Sequence, residues 1–341
     1  MKKLVIAWFV VIALCLSAAA AEARVFEDSL GRQVELAENI ERVAITGPLA
    51  QYAVFPIAAD MLVGVSSSWD DATKAFIPEE YQKLPVLGQL YGGKTGVNLE
   101  ELLAAGPQVV IDVGQAKEGL SEDLDALSEQ TGVPYVHISM TLKQLDETYL
   151  KLGELLSRPD EAAMIADYCT NVYTRTVQIA ESVKKESLLY VTGLEGLNVI
   201  ARDSYHSEVI DLLSNNLAVV ESPSARGTGN EVDMEQILAW NPDMVIFAEK
   251  NMYDAAPEDP LWQAVTAVRE KRYFRTPVGP YNWMGFPPSV QQLLGMTWMA
   301  KALYPQAADY DLYEETKQYF KMFYHCDLTR EAFDALMVDS L

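Results

Sequence analysis

The chain carries one helix-and-strand pattern twice, at an offset of 135 residues. The first copy, NLEELLAAGPQVVI, covers residues 98–111, and the second, DMEQILAWNPDMVI, covers residues 233–246. Glu100 of the first copy corresponds to Glu235 of the second. Repetition at fixed spacing is the signature of a duplicated structural unit. The sequence therefore predicts two similar lobes, each built around one copy of the pattern.

One long helical pattern lies between the two copies, over residues 159–185. Its apolar residues recur at three- and four-residue spacings, which places them on one helical face. A Pro-Asp-Glu start and a Lys-Lys end agree with the preferences of the two helix termini. At about 1.5 Å per residue such a helix is roughly 40 Å long, enough to join two lobes. The predicted organisation is an N-terminal lobe over 24–158, a connecting helix over 159–185, and a C-terminal lobe with a helical tail over 186–341.

Strand and helix patterns alternate within both halves. A hairpin from Arg24 with its turn at Gly31 is followed by buried strands such as VAITG at residues 43–47 and VVIDVG at 109–114, each with a helical pattern after it. Alternation of this kind predicts an α/β fold with mainly parallel sheets covered by helices. In such folds ligands bind outside the carboxyl ends of the strands, so we expect a cleft where the loops of the two lobes face each other.

The first 23 residues have the pattern of a secretory signal. Two lysines precede an apolar run, and small residues at Ala21 and Ala23 predict cleavage before Arg24. Cys15 is preceded by Leu14, where a lipoprotein signal has a small residue, so a soluble periplasmic protein is favoured over a lipid-anchored one. After processing only Cys169 and Cys326 are left, and whether they pair is open.

The formal net charge of −23 excludes nucleic acid as a partner, because binding to phosphates depends on Lys and Arg. Chemistry that could recognise a small ligand is concentrated in the predicted cleft loops. Aromatic rings there suit apolar faces, and the two arginines suit acidic groups. The candidate ligand-binding residues are Trp69, Tyr91 and Gln115 in the first half, and Arg202, Tyr205, His206, Arg226, Tyr281 and Trp283 in the second.

The segments VGVSSSW, GVNLEELLAAGPQVVI and VDMEQILAWNPDMVI, together with the central helix, resemble the class III periplasmic binding proteins of ABC importers. The resemblance covers nearly the whole mature chain. It implies two nitrogenase-like lobes, a metal chelate held between them, and delivery to an inner-membrane permease and its ATPase. It also implies that Glu100 and Glu235 dock onto arginines of the permease. Arg226 favours an anionic ferric siderophore as the chelate, with cobalamin, haem or a nickel or cobalt chelate as alternatives.

Two other classes of function are less favoured. Importers of bare zinc or manganese use about three histidines and a carboxylate, and this chain has only His137, His206 and His325 without a His-rich loop. A chelatase-like enzyme on the same fold is disfavoured because no nucleophile elbow, zinc-protease pair or phosphate loop is present. We therefore expect a monomeric binding protein with no catalytic residue, no cofactor and no protein-bound metal.

Overall fold

The computed structural model describes residues 23–90, 96–285 and 288–341. The predicted signal segment lies outside the described residues except for Ala23, and so does Tyr91. Within the described ranges, no helix is both long enough and apolar enough to cross a membrane.

The N-terminal half contains the predicted hairpin and a parallel sheet of three strands in the order β3-β4-β5. Single 3₁₀ turns lie at Ala59–Met61 and Leu142–Gln144. The strands and helices are β1 (Ala23–Glu27), β2 (Gln33–Ala37), β3 (Val43–Ile45), α1 (Pro48–Ala58), α2 (Asp71–Lys74), α3 (Glu79–Gln82), α4 (Leu99–Ala104), β4 (Val109–Gly114), α5 (Leu120–Thr131), β5 (Tyr135–Ser139), α6 (Leu145–Leu156) and α7 (Pro159–Ser182).

The C-terminal half forms a second sheet in the order β11-β10-β6-β7-β9, with β8 paired to β6. β10, β11, β6 and β8 run parallel, while β7 pairs antiparallel with both β6 and β9. The elements are β6 (Ser187–Thr192), β7 (Asn198–Val199), α8 (Glu208–Leu213), β8 (Asn215–Asn216), β9 (Asn230–Glu231), α9 (Met234–Trp240), β10 (Met244–Phe247), α10 (Lys250–Ala255), α11 (Pro260–Gln263), α12 (Thr266–Arg269), β11 (Tyr273–Arg275), α13 (Gln292–Leu303), α14 (Leu312–Tyr324) and α15 (Arg330–Leu336).

The repeat seen in the sequence is a repeat in structure. Each copy is a short helix, α4 or α9, followed by a central strand, β4 or β10. Both helices begin with an equivalent side-chain cap: Asn98 accepts a hydrogen bond from the Glu101 amide at 3.2 Å, and Asp233 accepts one from the Gln236 amide at 2.7 Å. The prediction of an α/β fold with two lobes and mainly parallel sheets is confirmed.

The connecting helix α7 is continuous from Pro159 to Ser182, three residues shorter than its sequence pattern predicts. It ends because Val183 takes an extended conformation, with φ −116° and ψ 157°. At its start, the Arg158 guanidinium donates a hydrogen bond to the Ile57 carbonyl at 2.9 Å, which ties the helix to the end of α1. The lobe bounds at 24–158 and 186–341 stay a prediction.

One apolar core runs through both halves, and each sheet has a second core on its outer face. The shared core includes Ile111 of β4, Val172 of α7 and Ile246 of β10. The outer cores are built around Tyr135 in the first half and Trp262 in the second. Because the shared core is continuous, burial of its apolar surface holds the two halves together along α7.

The helical tail also joins the halves. Phe320 of α14 packs edge-on against Phe76 with ring centroids 5.2 Å apart, and the Nε2 atom of His325 lies 3.1 Å from the Phe55 carbonyl oxygen. The tail is therefore packed against the first lobe as well as the second. Cys326 in this segment is a free thiol, as is the buried Cys169, so no disulfide links the tail to α7.

Two buried polar side chains pair with each other between the central strands of the first sheet. Asp112 on β4 accepts a hydrogen bond from the Thr46 hydroxyl at 2.5 Å, and its other oxygen lies 2.7 Å from Nδ1 of His137 on β5. The two residues are direct partners in the strand register. Since His137 is 0% exposed and Asp112 is 6% exposed, these bonds replace water and fix the spacing of the central strands.

Candidate ligand-binding site

A pocket lies between the lobes, at the carboxyl ends of the first sheet. β4 ends at Gly114, whose φ of +153° favours glycine and lets the chain turn sharply towards Gln115. β5 ends at Ser139, and Met140 and Thr141 follow it. Gln115 is exposed, and all three residues after the strands line the pocket. This is the edge at which ligands bind in open parallel sheets.

The opposite wall belongs to the second half. It is made by Tyr205 just before α8, by Glu208 at the start of α8, and by Pro288, Ser289 and Gln292 around the start of α13. The interior is narrow: the centre of a water molecule has only about 10 Å³ of space there. That is room for about one water molecule, so a compact ligand needs only a small separation of the walls.

Gln292 is a buried donor that is not used within the fold. Its side chain is 2% exposed, and its amide nitrogen has no hydrogen-bond partner among the residues that the structure describes. Gln291 beside it is equally buried but fully engaged: its oxygen accepts from the Tyr319 and Tyr324 hydroxyls, and its nitrogen lies 3.4 Å from the Tyr281 carbonyl oxygen. Leaving a buried donor unpaired costs about 1–3 kcal/mol. A ligand that supplies an acceptor would recover that free energy.

The surroundings of Gln292 favour negative charge. α13 has no acidic residue in its first turn, so the partial positive charge of its N-terminus is not neutralised locally. Gln115, Ser289 and the Tyr205 hydroxyl add further groups that can donate hydrogen bonds. Glu208 is the single carboxylate among the described residues of the pocket wall. The pocket is therefore rich in neutral donors and poor in charge.

Glu208 and Tyr205 both respond to burial. Desolvation raises the pKa of the Glu208 carboxyl, and the charge of Lys143, from the other lobe, opposes this effect. Desolvation also raises the pKa of the Tyr205 phenol, and the nearby Glu208 adds to the rise. Both shifts favour the neutral forms, in which each side chain has an O–H to donate.

His206 lies behind Tyr205, with the two rings edge to face and their centroids 5.3 Å apart. It is 5% exposed, and desolvation lowers the pKa of its imidazole despite nearby backbone groups of Ala225 and Gly285. A neutral ring in this position supports the pocket wall. Within the described ranges no group of three or more His, Cys, Asp or Glu side chains is arranged to hold a metal ion.

A second small cavity lies where α1 meets the second half. Tyr52 of α1 packs against Tyr281 with ring centroids 4.3 Å apart, and the Thr73 hydroxyl donates to the Pro280 carbonyl at 3.0 Å. Trp69 also lines this cavity, but its indole N–H donates to the Tyr81 carbonyl. These contacts close one end of the space between the lobes.

Residues 58–278 match a family model described as periplasmic binding protein. The match covers more than half of the chain. The chain belongs to this family of periplasmic binding proteins. The resemblance to class III binding proteins of ABC importers is thereby confirmed, and members of the family are substrate-binding transport proteins, not enzymes.

This periplasmic binding protein is similar to the molybdate-binding protein MolA of Haemophilus influenzae, with 28% identity over 91% of this chain and 93% of the relative. Among solved structures, an ABC transporter solute binding protein from Sulfurospirillum deleyianum matches with a TM-score of 0.82 and 25% identity, covering 92% of this chain and 99% of the other. The structure of MolA bound to molybdate matches with a TM-score of 0.70 and 20% identity, covering 90% and 99% of the two chains.

The structure of this binding protein brings two of the predicted ligand residues, Gln115 and Tyr205, into the pocket from opposite lobes. His206 lies behind Tyr205. Arg226 is exposed, and Arg202 donates to the Asn215 side chain at 3.0 Å and to the Asn216 carbonyl.

The predicted aromatic residues are placed differently. Trp69 and Tyr281 line the second cavity. Trp283 is 0% exposed, and its indole N–H donates to the Gly279 carbonyl at 2.9 Å, so its side chain is part of the core. Tyr91 lies outside the described residues. The ligand contacts of all nine residues stay a prediction.

Sequence reasoning missed eight of the ten described residues that line the pocket. Ser289 and Gln292 belong to SVQQ, which directly precedes an apolar helical run, and two adjacent glutamines at the buried start of such a helix are an available signal. Thr141, which follows a buried strand, and Glu208, which begins a short helix, are not among the candidates from the sequence.

Proposed function

We propose that this periplasmic binding protein captures a compact tetrahedral oxyanion of the molybdate type between its lobes and delivers it to an ABC importer. The observation that carries the proposal is the unpaired amide nitrogen of Gln292 in a pocket whose other polar residues, apart from Glu208, carry neutral groups that can donate. An oxyanion offers only acceptors, which is the complement of that set. Buried neutral dipoles and a helix N-terminus hold anions with little desolvation of opposing charge.

Two further observations support this ligand class. The pocket is narrow, so a small ion is accommodated by a small opening of the lobes, whereas a siderophore would need them to separate widely. In addition, the relative with 28% identity over 91% of this chain is named as molybdate-binding. We also propose that residues 1–23 are removed as a signal peptide, which would release the mature protein into the periplasm.

The proposal is tested by isothermal titration of the purified protein with molybdate, tungstate and sulfate. We expect stoichiometric binding of molybdate without any chemical turnover. The same protein is titrated in parallel with ferric siderophores, haem, cobalamin and nickel complexes. Absence of molybdate binding together with tight binding of one of these chelates would refute the oxyanion proposal.

A ferric siderophore is the second candidate. Arg226 favours it, because its exposed guanidinium has no carboxylate within 4.0 Å among the described residues and is available to an acidic chelate. The exposed part of Tyr205 could pack against the organic shell. Arg226→Ala separates the candidates, since it would weaken binding of a siderophore strongly and that of a small ion in the pocket only slightly.

We further propose that Glu100 and Glu235 dock the loaded protein onto its permease. Each is the second residue of its helix, at equivalent places in α4 and α9, and both are exposed. Exposed carboxylates on separate lobes can pair with fixed cations of a partner and so respond to the spacing of the lobes. Loss of uptake with unchanged ligand binding in the double alanine variant would support this role.

A further inference from the structure

Glu208 differs in kind from the other polar residues of the pocket. Gln115, Ser289 and Gln292 have groups that donate hydrogen bonds, whereas an ionised carboxylate only accepts them. A fully deprotonated oxyanion also only accepts. An ionised Glu208 and such a ligand would therefore repel each other across a narrow pocket, unless one of them carries a proton.

The position of Glu208 favours a proton on the carboxyl. The side chain is half-buried on the pocket wall, and no Lys, Arg or His lies within salt-bridge distance of it in the described part of the chain. Lys143 approaches from the other lobe without pairing and acts only through its charge. Burial without a paired cation disfavours the ionised form of a carboxyl group.

Building on the oxyanion function proposed above, we propose that Glu208 is a specificity-determining residue that binds a fully deprotonated oxyanion together with one proton. The proton comes from solvent and stays on the Glu208 carboxyl, whose O–H then donates to a ligand oxygen. No other bond forms or breaks. An oxyanion that keeps its own proton, such as hydrogen phosphate, would instead donate to ionised Glu208 and would need no proton uptake.

The sign of the pH effect follows from linkage. Binding next to an anion raises the pKa of Glu208 further, so the complex holds more protons than the free protein over the window between the two pKa values. Within that window the affinity for molybdate falls by up to tenfold for each unit of rising pH. Outside the window it is constant.

Other titratable groups near Glu208 would change the pH dependence of molybdate binding in different ways. Tyr205 stays neutral through neutral pH, because desolvation and the nearby Glu208 raise its pKa. The Asp211 carboxylate, on the same helix, is occupied by hydrogen bonds from Ser207 and Asn216. His206 is the competing group, since a protonated imidazole would also favour an anion at low pH.

The test is calorimetric titration of the purified protein with molybdate over the pH range in which molybdate itself stays a dianion. The titrations are repeated in buffers with different heats of ionisation, and the change in measured binding enthalpy gives the number of protons taken up. We expect close to one proton per molybdate within the window, and a pH-independent affinity in Glu208→Gln. Glu258→Gln, an exposed carboxylate of the same lobe, and His206→Gln are expected to keep the wild-type pH dependence.

Each outcome either supports or overturns the proposed role of Glu208. A flat affinity profile with no proton uptake in the wild-type protein overturns the inference and leaves the oxyanion function standing. A slope that persists in Glu208→Gln, or that disappears only in His206→Gln, also overturns it. Failure of molybdate and every other oxyanion to bind at any pH overturns the proposed function as well. Proton counting uses the wild-type protein, so the inference stays testable if a variant does not fold.

Discussion

Adjacent glutamines at the start of α13 allow a matched pair of substitutions with opposite expected effects. Gln291 and Gln292 are both 2% exposed, but only Gln291 has its polar atoms paired within the fold. Methionine has a similar volume and length and carries no hydrogen-bond donor. Gln291→Met and Gln292→Met therefore remove the same chemistry from the same depth, and differ only in what that chemistry contacts.

The hydrogen-bond partners of the two glutamines set the expected changes in the free energy of unfolding. Gln292→Met removes a buried donor without a partner, and we expect the free energy of unfolding of the ligand-free protein to rise by about 1 kcal/mol, up to 3 kcal/mol. Gln291→Met leaves the buried hydroxyls of Tyr319 and Tyr324 without their acceptor, and we expect a fall of about 1–3 kcal/mol. A change of 1 kcal/mol shifts Tm by about 1–2 °C at this chain length, from an unfolding entropy of about 2.1 cal/mol/K per residue.

Ligand binding is expected to respond in the opposite sense. A hydrogen bond to a charged group contributes about 1.5–3 kcal/mol, so Gln292→Met would weaken molybdate binding roughly 10- to 150-fold while stabilising the empty protein. The assays are urea unfolding without ligand and isothermal titration with molybdate. Gln318→Met, at an exposed position of α14, should change neither quantity. A destabilised Gln292→Met protein with unchanged molybdate affinity would show that the amide is structural and would refute the reasoning.

Three further predictions concern the rest of the molecule. Glu100→Ala with Glu235→Ala should leave molybdate affinity unchanged in titrations but abolish importer-dependent uptake in cells; normal uptake would exclude docking through these residues. Asp112→Ala leaves the buried His137 Nδ1 without a partner and should lower the free energy of unfolding by roughly 2–4 kcal/mol in urea, whereas a neutral effect would mean that the strands repack. Arg226→Ala should weaken oxyanion binding only about two- to fivefold at low salt, and a loss of 100-fold would favour the siderophore.

The sequence correctly predicted the helices and strands that depend on short-range patterns. The duplicated segments at residues 98–111 and 233–246 form the same helix and strand, because capping residues and apolar spacing act within one or two turns. The central helix follows its periodic apolar face in the same way, apart from its last three residues. Alternation of these elements was sufficient to predict two mainly parallel sheets, while the resemblance to the family came from the motifs themselves.

The pocket is formed by residues from distant parts of the sequence, so no local pattern predicts it. Gln115 and Gln292 line the same pocket although they are far apart in the sequence, because the pocket is formed between the two halves of the fold. Loop position alone also failed to separate Tyr205, which faces the pocket, from Trp283, which is fully buried.

The sequence by itself thus determined the class of fold, the duplication and the connecting helix, since each follows from periodicity and short-range preference, and its repeated motifs carried the resemblance to the family. Tertiary structure alone decided which polar groups were left unpaired. Gln291 and Gln292 are identical in type, adjacent in the chain and equally buried, yet one is bonded to the tyrosines of α14 and the other faces the space between the lobes. Whether a polar side chain hydrogen-bonds within the fold or remains available to a ligand depends on the atoms that the complete fold places around it.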